Sequence, residues 1–152
     1  MGALRPAGRS AGVPDAGGLL DGHGRTACDL RVSLTDRCDL RCTYCMPAAG
    51  LPWLPGRTIL TDEEIGTLIR VAVERLGVRK LRFTGGEPLL RPGLAGIIAR
   101  AASLRTDEGR TPELSLTTNG VGLDRRIDEL AEAGSTTSCA ASLPRTRRAF
   151  GR

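Results

Sequence analysis

The chain has 152 residues, 40% of them hydrophobic, and no apolar run approaches the roughly 20 residues needed to span a bilayer. This points to one soluble domain, or part of a larger one, with no membrane partner. Aromatic residues make up only 3%, so a core must come from Leu, Val, Ile and Ala. The net charge of +5 belongs to the end of the chain: beyond Glu132 there are four arginines (Arg145, Arg147, Arg148, Arg152) and no acidic residue, leaving the rest close to neutral. A nucleic-acid module combines a basic face with stacking aromatics. Neither is present, and no nucleic-acid partner is expected.

Residues 1–24 are rich in Gly, Ala, Pro and Arg without periodicity and read as a disordered extension. They lack the apolar centre of a signal peptide, which places the protein in the cytoplasm. Thiols stay reduced there, so clustered cysteines point to metal or catalysis before disulfides. "DLRVSLT", with Leu30, Val32 and Leu34 alternating, reads as a strand, and a cysteine-rich loop follows it directly. Thr61 and Glu64 form a capping-box pattern. It opens a helix whose apolar positions are Ile65, Leu68, Ile69, Ala72, Val73 and Leu76, closed by Gly77. "KLRFTGGEP" is a second strand ending in a double glycine. A helix from about 92 carries Leu94, Ile97, Ile98, Ala101 and Leu104 on one face, and residues 105–110 form an exposed, mixed-charge loop. "ELSLTTNG" is a third strand and 124–133 a third helix.

The order βαβαβα predicts an α/β fold with a parallel sheet and crossover helices. Such sheets gather ligands at the carboxyl ends of their strands. The unusual segments "DRCDLRCTYC", "TGGEP" and "TTNG" each follow a strand directly, so three loops are expected on one rim. A fourth strand is then due, but "GSTTSCAASLPRTRR" has no alternating apolar run. Residues 135–152 are expected to be an aberrant or disordered tail, from truncation or a shifted reading frame, leaving three strands with an unpaired edge. Cys28 is expected to be a partly buried thiol, His23 solvated, and Trp53 to pack the loop after the cysteines.

Cys38, Cys42 and Cys45 lie in one short loop as C-x3-C-x2-C. A structural zinc site takes four ligands, and the fourth candidates, Cys28, Cys139 and His23, are distant. An iron–sulfur cluster with one iron left open needs only three and keeps a position free for a small molecule. A redox-sensing thiol group and chance clustering are the remaining readings, and neither explains the adjoining loops.

With Tyr44 before the last cysteine and "TGGEP" closing the next strand, the pattern resembles the radical S-adenosylmethionine superfamily. That resemblance implies a 4Fe–4S cluster on Cys38, Cys42 and Cys45, whose open iron is chelated by S-adenosylmethionine. Tyr44 and Gly86 would contact this cofactor, with Glu87 a further candidate. The strings "DLRVSLTDRCDLRCTYCMPAAGLPWLP", "RKLRFTGGEPLLRPGL" and "LSLTTNGVGL" resemble the amino-terminal half of the GTP 3′,8-cyclase family of molybdenum cofactor biosynthesis, over about 24–134. The resemblance implies that Arg31, Arg82 and Thr117 contact GTP. A 5′-deoxyadenosyl radical would take hydrogen from C3′ of GTP, and the carbon radical would then attack C8.

The implied fold is the amino-terminal part of a partial (β/α)6 barrel, truncated after about three βα units, with its core at 25–134. An electron donor is also implied, and homodimerisation is open to the full-length family. The family's carboxyl-terminal half carries a second cluster that binds GTP. Its cofactor-contacting serine falls near Ser142 without being assigned to it. The chain alone is therefore not expected to cyclise GTP. A radical enzyme for another substrate and a non-catalytic zinc-binding module are the competing functions.

Overall fold

The computed structural model describes residues 18–45, 47, 49–134 and 137–140, the last four by their backbone. The described chain begins with an antiparallel hairpin of β1 (Leu19–Leu20) and β2 (Thr26–Ala27). Its turn is organised by Asp21, whose carboxylate accepts the N–H groups of His23 (2.8 Å) and Arg25 (2.9 Å) and the Arg25 guanidinium (2.6 Å). Gly24 takes the left-handed conformation that the turn requires, at φ 76°. Residues 18–24 are thus ordered by local turn chemistry and are not part of a disordered extension; residues 1–17 lie outside the described residues. His23 is exposed, as expected, whereas Cys28 is exposed and not partly buried.

Strands β3 (Asp29–Ser33), β4 (Lys80–Thr84) and β5 (Glu113–Thr118) run parallel and adjacent. Arg31 is in register with Arg82, and Arg82 with Ser115. Two helices cover one face: α1 (Asp62–Arg75) and α2 (Leu94–Ser103). The core contains Leu81, Phe83, Leu114 and Leu116 from the strands, packed with Ile65, Ile69, Val73, Leu94, Ile97 and Ile98 from the helices. Each such buried side chain stabilises the fold by about 2 kcal/mol relative to exposure. The alternate strand residues, Arg31, Ser33, Arg82, Thr84, Ser115 and Thr117, fall on the opposite face by the pleat.

The capping box of α1 is complete. The Thr61 hydroxyl accepts from the Glu64 N–H at 3.2 Å, and the Glu64 carboxylate accepts from the Thr61 N–H at 2.8 Å. These bonds hold the Glu64 carboxyl below its ordinary range. Gly77, at φ 72°, turns the chain out of the helix. Leu68, expected on the apolar face, is instead 56% exposed, because the buried stripe runs through Ile65, Ile69, Ala72 and Val73. The 105–110 loop is exposed apart from buried Thr106 and forms ion pairs from Asp107 and Glu108 to Arg79.

The expected third helix is interrupted. A 3-10 turn at Leu123–Arg125 precedes α3 (Ile127–Glu132), with Arg126 between them at φ −121°, ψ −3°. The Arg126 guanidinium donates to the carbonyls of Leu89 (2.8 Å) and Arg91 (3.0 Å) and to Glu129, which fixes the break. A fourth strand, β6 (Thr137–Ala140), then pairs parallel with β5, Ser115 facing Thr137 and Thr118 facing Ala140. This overturns the expectation of three strands and of a wholly irregular segment from 135. The edge of β5 presents unpaired backbone groups, and pairing them does not need an apolar alternation in the partner. Residues 141–152, Ser142 included, lie outside the described residues. Among the described residues no helix is long and apolar enough to cross a membrane.

Candidate functional site

The three loops expected on one rim are bonded to one another at the carboxyl ends of β3, β4 and β5. Leu34 N–H donates to Thr84 O (2.9 Å), Gly86 N–H to Thr35 O (2.7 Å) and Glu87 N–H to Arg37 O (2.7 Å). The double glycine is required for this contact. Gly85 sits at φ 137°, and a Cβ there would lie 2.5 Å from Thr35 O. One at Gly86 would be driven into the Arg37 carbonyl. Gly86 therefore packs directly against the backbone that leads into the cysteines.

Glu87 clasps the second loop to the third. Only 1% exposed, its carboxylate accepts the Leu89 N–H (3.0 Å), the Thr118 hydroxyl (2.7 Å) and the Asn119 N–H (2.7 Å). The Asn119 side chain reaches across to the first loop, its Nδ2 donating to Asp39 Oδ1 at 2.8 Å. These cross-loop partners are 31 to 80 residues apart in sequence. Reading the chain left Thr118, Asn119 and Asp39 without roles, and their only sequence signal is polar residues crowded at strand ends.

Within the first loop, Arg41 donates to Cys38 O (3.0 Å) and Leu40 O (3.2 Å), and its guanidinium lies 5.3 Å from the centre of the Trp53 ring. Trp53 touches the loop through this cation–π contact while the residue remains exposed. Asp36 ties the same segment, accepting the Leu54 N–H at 2.5 Å while its other oxygen is buried without a partner. Behind it, Arg91 joins Asp62, Leu34 O and Leu60 O, beside a groove of about 240 Å³ that Asp36 also lines.

Cys38 and Cys42 are half-buried, Cys45 is exposed, and none of the three is in a disulfide. Burial pushes the Cys38 thiol above its ordinary value, opposed by the Leu40 N–H and reinforced by Asp39, Glu87 and Cys42. The phenol of Tyr44, 70% exposed, is also raised, by local desolvation and then by Cys42, Cys45 and Cys38. Among the described residues no three His, Cys, Asp or Glu side chains are drawn together as a metal-holding group. The donor set nevertheless fits an iron–sulfur cluster in kind and number: three free thiols on one short, externally anchored loop.

Arg31, Arg82 and Thr117 are brought to one side of the sheet, away from the helices. Arg31 and Arg82 are register partners on neighbouring strands. Arg31 is exposed, and Arg82 is half-buried with its Nε lacking a partner. The two threonines of "TTNG" divide: Thr118 is buried on Glu87, and Thr117 occupies the polar face. Two cations and a hydroxyl on one face suit an anionic ligand.

Residues 32–142 match the family model of the radical SAM superfamily. The chain is 62% identical over 125 residues to the GTP 3′,8-cyclase of Corynebacterium glutamicum, an alignment that covers 80% of this chain and 33% of that protein. It is 58% identical over 133 residues to the GTP 3′,8-cyclase of Mycobacterium marinum, covering 84% and 36%. To GTP 3′,8-cyclase 2 of Mycobacterium bovis it is 60% identical over 122 residues, covering 80% and 33%. The chain spans about a third of the length of the curated relatives it matches. The superfamily match brings with it a 4Fe–4S cluster and S-adenosylmethionine as cofactors. Since that match covers more than half of the sequence and includes the cysteine, double-glycine and "TTNG" loops bonded together here, the chain belongs to the radical SAM superfamily.

Proposed function

We propose that this chain supplies the cluster-binding and cofactor-binding rim of a GTP 3′,8-cyclase, an enzyme of molybdenum cofactor biosynthesis. Its product is (8S)-3′,8-cyclo-7,8-dihydroguanosine 5′-triphosphate. One observation carries the reading: a three-thiol loop is anchored at the end of a sheet whose open face bears the Arg31–Arg82 pair. The names of the relatives support the choice of substrate. The parallel strand order, with helices on one face and polar residues on the other, supports the amino-terminal part of a (β/α)6 barrel.

Cys38, Cys42 and Cys45 would each ligate one iron, leaving the fourth to the amino and carboxylate groups of S-adenosylmethionine. Tyr44 and the backbone at Gly86 would border that nucleotide. When bound, the cluster and an external electron donor supply the electron that cleaves the sulfonium, giving the group that removes hydrogen from C3′ of GTP. The residues' own work is positioning. Arg31 and Arg82 present guanidinium forks to phosphate oxygens. Thr117 offers a hydroxyl to a ribose or base edge. The loop clasp of Glu87, Asn119 and Asp39 holds the thiol loop at the carboxyl end of that sheet. Near contact between reacting atoms, with water excluded, is where the rate enhancement arises. A cytoplasmic setting would keep the three thiols reduced.

Anaerobic reconstitution with iron, sulfide and S-adenosylmethionine tests the reading. Iron and sulfide uptake should be lost on changing Cys38, Cys42 or Cys45 to Ser and kept in Cys28→Ser. GTP binding should weaken in Arg31→Ala and Arg82→Ala. Stoichiometric zinc without iron would favour a zinc-binding module. Cluster formation with GTP binding indifferent to both arginine substitutions would favour a radical enzyme of another substrate.

A further inference from the structure

We infer that Asn119 is a positioning residue whose side-chain amide pins Asp39, and with it the arc of residues 38–42, to the buried clasp at Glu87. The inference deepens the reading above, because that arc carries two of the three thiols.

Both ends of Asn119 are fixed before it reaches Asp39. Its backbone N–H donates to Glu87 Oε2 at 2.7 Å, and its side-chain Oδ1 accepts the Val121 N–H at 2.9 Å. With Oδ1 so engaged, the amide nitrogen is the group left to face Asp39, at 2.8 Å. The turn beneath is braced as well, since Gly120 N–H donates to Thr118 Oγ1 (3.0 Å), which itself donates to Glu87 (2.7 Å). Glu87 is in turn bonded through its own N–H to Arg37 O at 2.7 Å. The cysteine loop is therefore held on both sides of Cys38: at Arg37 by backbone and at Asp39 by a side chain. Arg41, closing on Cys38 O and Leu40 O, is a contact internal to the loop. The Asp39–Asn119 bond is the tether that a substitution can reverse without touching backbone geometry.

Three variants of the full chain test this. Asn119→Asp keeps the shape but sets carboxylate against carboxylate. Asp39→Asn retains an oxygen that Asn119 can still reach. The doubly substituted Asp39→Asn/Asn119→Asp restores a donor–acceptor pair in the opposite sense. Hydrogen exchange is read at the amides of Glu87 and Cys45, which donate to Arg37 O and Cys42 O. The α1 amide of Val73 serves as reference.

Asn119→Asp should speed exchange at the first two by about ten- to a hundredfold, the size of a lost charge-assisted hydrogen bond, with Val73 unchanged. The doubly substituted protein should recover to within about threefold, and Asp39→Asn should stay close to the parent. In reconstituted, reduced protein, Asn119→Asp should also change the electron paramagnetic resonance line shape, and the double substitution should restore it. Unchanged exchange in Asn119→Asp would overturn the inference, as would a double substitution that recovers nothing. If Asn119→Asp loses protection at Val73 as well, the doubly substituted protein alone decides, by recovering or not. If the parent takes up no cluster, the proposed function fails while the exchange data still decide on the tether.

Discussion

Replacing Glu87 by Gln tests the clasp between the loops most sharply. The side chain keeps its shape, but one carboxylate oxygen becomes an amide NH2. Placed at the Oε2 position, that group faces the Asn119 N–H, donor against donor. Placed at Oε1, it faces the Leu89 N–H, and the Thr118 hydroxyl loses its acceptor. The first orientation removes one charge-assisted hydrogen bond and the second removes two, and both strand a donor at a site only 1% exposed. The expected loss is about 2–4 kcal/mol of stability. Urea unfolding followed by circular dichroism would read it, with Thr118→Val costing about 1–2 kcal/mol. Because Thr118 acts through Glu87, the two substitutions should couple by about 1 kcal/mol in a double-mutant cycle. A Glu87→Gln protein within about 0.5 kcal/mol of the parent would refute the clasp.

Gly86→Ala should cost about 3 kcal/mol or undock the loop, because its methyl meets the fixed Arg37 carbonyl; wild-type resistance to limited proteolysis in that variant would contradict this. Arg82→Met should change stability by less than about 1 kcal/mol, since it removes a buried Nε that has no partner, while weakening GTP binding by about tenfold or more. Titration of cluster-loaded protein, beside its urea midpoint, would separate the two effects. The Cys38 thiol holds its proton more tightly than the ordinary value of 9.0 implies, chiefly through burial. Its contribution to stability is therefore present below 9.0 and lost as pH rises through the higher native value. Alkylation of Cys38 in metal-free protein should show a midpoint above 9.0, and a midpoint below it would contradict the burial argument.

Local signals were legible wherever a single element determines them. Thr61 with Glu64 marked the start of α1 and Gly77 its end, and the strings "KLRFTGGEP" and "ELSLTTNG" marked β4 and β5. The convergence of three loops also followed from strand order, before any distance was known. What escaped the reading depends on partners far away in sequence. Arg126 breaks the third helix because carbonyls near residue 90 accept its guanidinium. β6 forms because the edge of β5 offers backbone partners to a segment with no apolar pattern. Asp39 has no local partner that would mark it, and its bond is to Asn119, 80 residues on. The close packing of Gly85 and Gly86 against the backbone of the cysteine loop likewise depends on distant partners, Thr35 and Arg37.

The most direct measurement is electron paramagnetic resonance of the anaerobically reconstituted, dithionite-reduced chain, recorded before and after adding S-adenosylmethionine. A reduced 4Fe–4S signal is expected whose shape changes on addition, with the signal lost in Cys42→Ser. A chain that binds no iron, or whose signal is indifferent to S-adenosylmethionine, would contradict the central claim that these three thiols leave one iron free for it.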